Sequence, residues 1–144
     1  MNWQKEAVND LKSYIARKQS VESLKERILD LERRSVKLGG TSNSTPVQGG
    51  GNRNEEALVN NIAERERLNM ALTAAQKLVD IIEKGLAVLT SEERLVLEKF
   101  YIDRPTMYLD RLCDELHCEQ ATVYRIKDRA LYKFTVAMYG VIDL

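Results

Sequence analysis

One histidine and two cysteines are the only imidazole and thiol groups in this 144-residue chain, and they fall together as Cys113, His117 and Cys118. A zinc site normally takes four Cys/His ligands in spaced pairs, so this group is short of a ligand set. It reads instead as two reduced, partly buried thiols around a turn histidine, with no metal and no cofactor expected. A histidine-based catalytic triad would have to use His117, which falls in a turn. The carboxylates are spread as helix charges rather than paired between apolar neighbours. No catalytic residue is expected, and the chain is not expected to be an enzyme.

The remaining chemistry is that of cations and amides on a short helix. Leu109, Leu112 and Leu116 stand at helical spacing, and the small Cys113 falls where two helices would cross. His117-Cys118-Glu119 is a three-residue connection. Gln120 to Lys127 then opens a second helix, with Val123 and Ile126 inward and Gln120, Thr122, Tyr124, Arg125 and Lys127 outside. Two short helices joined by a tight turn, the second carrying a polar outer face, fit a helix-turn-helix whose second helix lies in a DNA major groove.

Gln120 and Thr122 fall in the first turn, where recognition helices meet base edges, and glutamine can bond adenine bidentately. Arg125 and Lys127 read as DNA contacts, or as an ordinary solvated face. Tyr124 reads as a sugar or phosphate contact, or as an exposed tyrosine. Arg111 on the preceding helix is a candidate backbone contact, again set against a solvated face. Charge supports this only locally. The chain holds 22 basic and 22 acidic residues, for a net charge of zero. Segment 1–37 is +3, 38–89 is −1 and 90–144 is −2, while 119–133 is +2 from Arg125, Lys127, Arg129 and Lys133 against Glu119 and Asp128. Few phosphate contacts per monomer imply modest affinity unless a second copy or a partner adds more.

The stretch 89–134 resembles region 4 of sigma factors and the sigma-region-4-like regulators. Leu89-Thr90-x-x-Glu93-Arg94-x-Val96-Leu97 resembles their opening helix, and Phe100-Tyr101 their aromatic helix end. Thr122-Val123-Tyr124 and Arg129-Ala130-Leu131 match their recognition helix and its continuation. With a helical N-terminal half, the whole plan resembles phage-encoded regulators of the ArpU and RinA type, which implies activation of late phage genes. The chain departs from the pattern in the turn. His117 stands where glycine is usual, so a positive φ is expected on a residue that tolerates it less well. Glu119 stands where serine or threonine is usual and is a weaker N-cap.

The elements that must position this motif read as helices throughout. Residues 3–36 form one long helix with a stripe of Trp3, Ala7, Val8, Leu11 and Ile15 and a second of Val21, Leu24, Ile28 and Leu31. The stretch 16–20 interrupts their phase. Gly39-Gly40 ends that helix, and 39–54 is a Gly/Ser/Thr/Asn-rich flexible loop. Residues 55–88 form a second long helix, capped by Asn54. Its stripe of Leu68, Leu72, Ala75, Val79, Ile82, Leu86 and Leu89 keeps a heptad spacing, and Leu58 and Ile62 extend it with a slip. Gly85 marks the change to the DNA-binding unit. Thr90 to Glu93 is a capping box, and Asp103 to Thr106 a connecting turn stopped by Pro105. The apolar tail 139–144 packs back or mediates association.

The expected fold class is all-α, in two domains. Residues 1–88 form a helical hairpin or coiled coil, and 89–144 a compact sigma-region-4-like helix-turn-helix domain. Pairing of the long helices within the chain competes with pairing between chains; a hairpin that also offers a dimer surface is favoured. The expected function is a sequence-specific, DNA-binding transcriptional regulator, phage or prophage encoded. Its partners would be double-stranded DNA and a second copy of itself, with the helical stripes serving assembly or RNA polymerase contact. Two other readings stay open. One is a small terminase-like packaging protein, which would form larger rings; the other is a protein-interaction module with a degenerate motif. The start MNWQKEAVND lacks the apolar core of a signal peptide, and no apolar run reaches transmembrane length, so a cytoplasmic location without membrane contact is expected.

Overall fold

The computed structural model describes residues 2–40 and 51–140. Every regular element among them is helical: α1 (Trp3–Gly40), α2 (Gly51–Ala87), α3 (Ser91–Leu97), α4 (Tyr108–Leu116) and α5 (Gln120–Tyr139). α1 and α2 form a long helical hairpin, so the long helices pair within the chain. No described helix is long and apolar enough to cross a membrane.

Both long helices outrun their sequence boundaries. α1 continues through Gly39 and Gly40, and α2 begins at Gly51, so Asn54 lies inside the helix rather than capping it. Extending an established helix adds a hydrogen bond for each residue fixed, and a glycine opposes this by only about 1 kcal/mol. Most of the loop expected over 39–54 falls on 41–50, outside the described residues.

The interruption expected in α1 is absent, because the seam does not run through Ile15. Tyr14 is buried and Ile15 stays 41% exposed, so Ala7, Tyr14, Val21 and Ile28 repeat at seven-residue steps. Arg17, partly buried, continues the alternate row toward Leu24 and Leu31. The slip expected near the start of α2 is also absent. Asn61 is buried and Ile62 is 42% exposed, so the row Asn61, Leu68, Ala75, Ile82 keeps a seven-residue step. In both helices the expected stripe took the nearest aliphatic residue, whereas the seam takes a polar or amphipathic neighbour one position away. Such residues bury an apolar body while keeping their polar ends bonded.

The chain divides into two compact units, one of Lys18–Lys77 and one of Met1–Arg17 with Leu78–Leu144. The first holds parts of α1 and α2, with Val21, Ile28 and Leu68 buried. The second joins the hairpin base to α3, α4 and α5. Its buried side chains include Leu11, Ile82, Leu86, Leu97 and Phe134, each below 2% exposure. Trp3 and Tyr139 pack with ring centroids 5.0 Å apart, Tyr14 donates to Glu83 Oε1 at 2.8 Å, and the Tyr139 hydroxyl donates to Asp10. Desolvation, then the Glu83 bond, pushes the Tyr14 phenol up to about 12. The tail beyond Gly140 lies outside the described residues.

Gly85 does not end α2. It is buried in the helix two residues before its last, and Phe134 packs against it. α3 begins with the expected capping box: Glu93 N–H donates to Thr90 Oγ1 at 3.3 Å, and Thr90 N–H to Glu93 Oε1 at 3.0 Å.

Candidate nucleic-acid interface

The core under α4 and α5 is built from Val96, Phe100, Leu112, Val123 and Ile126, with Leu109, Cys113, Leu116 and Cys118 packed at its edge. Val123 is fully buried and Leu112 is 1% exposed. Val123 and Ile126, three residues apart on α5 and both buried, fix the rotation of that helix about its axis, because they take its inward positions. The outer face follows by subtraction.

The turn between the two helices has the positive φ that the departure from glycine foretold. His117 sits at φ 52°, ψ 47°, and Cys118 N–H donates to Cys113 O at 3.2 Å. This is the six-to-one bond of a Schellman cap, formed here without glycine. Glu119 holds the N-cap position of α5 with extended backbone and no side-chain cap bond.

Two features of the scaffold had no sequence signal. α3 continues as a five-residue π turn, Glu98–Ile102, closed by Asp103 N–H donating to Glu98 O at 2.8 Å. The wider turn carries both Phe100 and Tyr101 toward the core, where Phe100 meets Tyr101, Tyr108 and Tyr124. Met107, 65% exposed, then enters α4 at φ 57°. The sequence offered only Pro105 as a turn marker; a methionine in left-handed backbone announces nothing by its type. Arg104 stacks on Tyr108 at 3.9 Å from the ring centroid and donates to its hydroxyl.

The five candidate residues on α5 do not share one environment. Gln120 and Arg125 are exposed, and neither has a hydrogen-bond or ion-pair partner from another side chain among the described residues. Tyr124 is 41% exposed but its ring stands edge-on to Phe100, centroids 5.8 Å apart. Thr122 is half-buried. Lys127, expected outside, is also half-buried; it pairs with Asp128 at 2.7 Å, 5.8 Å from the Tyr124 centroid. Burial lowers the affinity of its amine for a proton, and the Asp128 bond more than reverses that. Arg111 is exposed on α4 and lines a shallow pocket with Lys99, Pro105, Leu112 and Glu115.

The charge of the motif is largely paired within the chain. Arg129 Nε and Lys133 Nζ reach the two carboxylate oxygens of Glu93 at 3.3 and 3.0 Å. The Glu93 side chain is fully buried. Burial pushes its carboxyl up, but the Thr90 amide, Lys133, the Thr90 hydroxyl and Arg129 outweigh that and hold it at about 2. Of the four cations that made 119–133 positive, Arg125 alone is left without an acidic partner among the described residues. The capping box was legible; that its carboxylate also anchors side chains 36 and 40 residues away was not. Arg94, in the opening-helix pattern, bonds Glu98 one turn later at 3.1 Å. Ala121, absent from the expected set, is exposed beside Gln120.

Fold and site together define an all-α protein with a long helical hairpin and two shorter helices, α4 and α5, joined by a tight left-handed turn. The sequence pattern of a family described as a protein of unknown function (DUF1492) matches residues 39–135, more than half of the chain, and the protein belongs to that family. The match takes in α2, α3, α4 and most of α5. No curated protein and no solved structure matches the chain.

Proposed function

We propose that the protein is a sequence-specific DNA-binding regulator of transcription whose α5 enters the major groove. One observation carries the reading. Val123 and Ile126 anchor the inner side of the first two turns of α5, leaving Gln120, Ala121, Tyr124 and Arg125 outward on a continuous face. That face offers an amide for adenine, a methyl for the thymine methyl and a guanidinium for guanine. The resemblance to sigma-region-4-like phage regulators supports a phage or prophage role in the cytoplasm, with the hairpin used for self-association or polymerase contact. Duplex shift assays at stated salt, against fragments of the protein's own genomic neighbourhood, test it. Preference for one fragment over bulk DNA is expected, and equal binding to all fragments would count against it.

A second reading draws on the charge arrangement. With Arg129 and Lys133 committed to Glu93, and Lys127 to Asp128, the outer face of α5 has few cations for phosphate. Its exposed Tyr124, Tyr132 and Val136 suit a protein partner, since tyrosine is enriched in interface hot spots. Duplex binding that is absent at low salt would favour this reading over the first.

A further inference from the structure

We infer that Asn61 and Arg65 form a pairing selector, a polar layer that admits α1 against α2 in one register and rejects α2–α2 pairing between chains. Asn61 occupies a seam position and is 7% exposed, where an aliphatic side chain would bury more apolar surface. Ile62, the next residue, is 42% exposed. The two stand about 100° apart around α2, and buried Leu68 already sets which face turns inward, so apolar burial does not explain why the seam carries an asparagine here.

Hydrogen bonds do. Asn61 Nδ2 donates to the Leu31 carbonyl of α1 at 2.8 Å, while its Oδ1 accepts from Arg65 Nε at 2.8 Å. Arg65 NH2 donates in turn to Ser35 Oγ on α1 at 3.3 Å. Among the described residues, no buried side-chain nitrogen or oxygen lacks a partner. Both acceptors belong to α1 and lie one helical turn apart, so a shift of α2 by a turn strands the amide and the guanidinium together. Pairing α2 with another α2 supplies neither Leu31 O nor Ser35. A buried polar group left without its partner is penalised heavily, and a single buried asparagine can fix coiled-coil register. The layer gives up apolar burial and makes the alternatives worse, which is how specificity against them arises.

Spin labels at Val36 and Val59, which are 74% and 63% exposed, read the pairing across this layer in the full chain with Cys113 and Cys118 changed to Ala. The otherwise native sequence should give one narrow Val36–Val59 distance, and a chain labelled at Val59 alone should give no short inter-chain distance. With Asn61→Leu and Arg65→Leu together, the narrow distance should split or broaden. The Val59-only sample should then gain a short inter-chain distance. The single variant Asn61→Leu should move the same way to a lesser degree. Unchanged distances in the double variant would overturn the inference. So would a loss of helicity in both leucine variants, because the layer would then hold the hairpin together rather than select its pairing.

Discussion

Gly85 of α2 lies so close under Phe134 of α5 that a methyl group on its Cα would stand 2.7 Å from ring atom Cε2. Phe134 is fully buried, and Met138 Cγ would lie 3.2 Å from the same methyl. The continuation of the candidate recognition helix is therefore seated on the hairpin base through the absence of a side chain.

Gly85→Ala should consequently destabilise the fold. Alanine favours a helix over glycine by about 1 kcal/mol, but overpacking a closed core costs about 1–3 kcal/mol. A net loss of up to about 2 kcal/mol is expected from urea unfolding. A gain in stability would show that the Phe134 ring can move aside.

Glu93 makes an acid transition. Its carboxyl is held at about 2, below the ordinary 4.5. A depressed carboxylate contributes stability that is present above the unfolded value and is lost as pH falls through the folded one. Stability should therefore decline between about pH 4.5 and 2. Glu93→Gln should flatten that decline and lower stability at neutral pH by about 2–3 kcal/mol, by weakening the cap and two charge-assisted bonds. Thermal unfolding followed across pH 2 to 7 checks both effects. An unchanged slope in the variant would remove Glu93 from the account.

His117 holds left-handed backbone at φ 52°. His117→Gly should stabilise the protein modestly, by a few tenths to about 1 kcal/mol, since glycine adopts that conformation without a Cβ penalty while gaining unfolded-state freedom. Equilibrium unfolding midpoints give the comparison. A clear loss of stability would mean that the imidazole itself makes a contact that matters.

Much of this architecture was legible in the sequence, for reasons specific to certain residues. The stripe from Leu68 to Leu86 runs at an unbroken heptad spacing, so α2 could be drawn from it. Thr90 and Glu93 carry a local signature whose bonds span three residues. His117 could be placed in a positive-φ turn because the motif that this stretch resembles usually carries glycine there. What stayed hidden depended on partners distant in sequence. Tyr14 and Asn61 enter the seam because Glu83 and the Leu31 carbonyl receive their polar ends. Lys133, counted in the positive charge of 119–133, is paired because Glu93, 40 residues earlier, lies buried within its reach. The π turn at Glu98–Ile102 follows from seating Phe100 and Tyr101 together, which no periodicity announces.

The outward side chains of α5 give the sharpest test of DNA reading. Arg125→Ala should weaken binding to the preferred fragment by about 1–3 kcal/mol and relax preference at one base position, while bulk DNA binding changes little. Lys127→Ala, which removes a half-buried amine already paired with Asp128, should change sequence preference much less.

The decisive measurement is the ratio of specific to bulk duplex affinity at fixed salt, for the unaltered protein and for the Gln120→Ala, Arg125→Ala double variant with its helicity verified. The account predicts a ratio well above one that collapses toward one in the variant. A ratio of one in the unaltered protein, or an undiminished ratio in the variant, would contradict it.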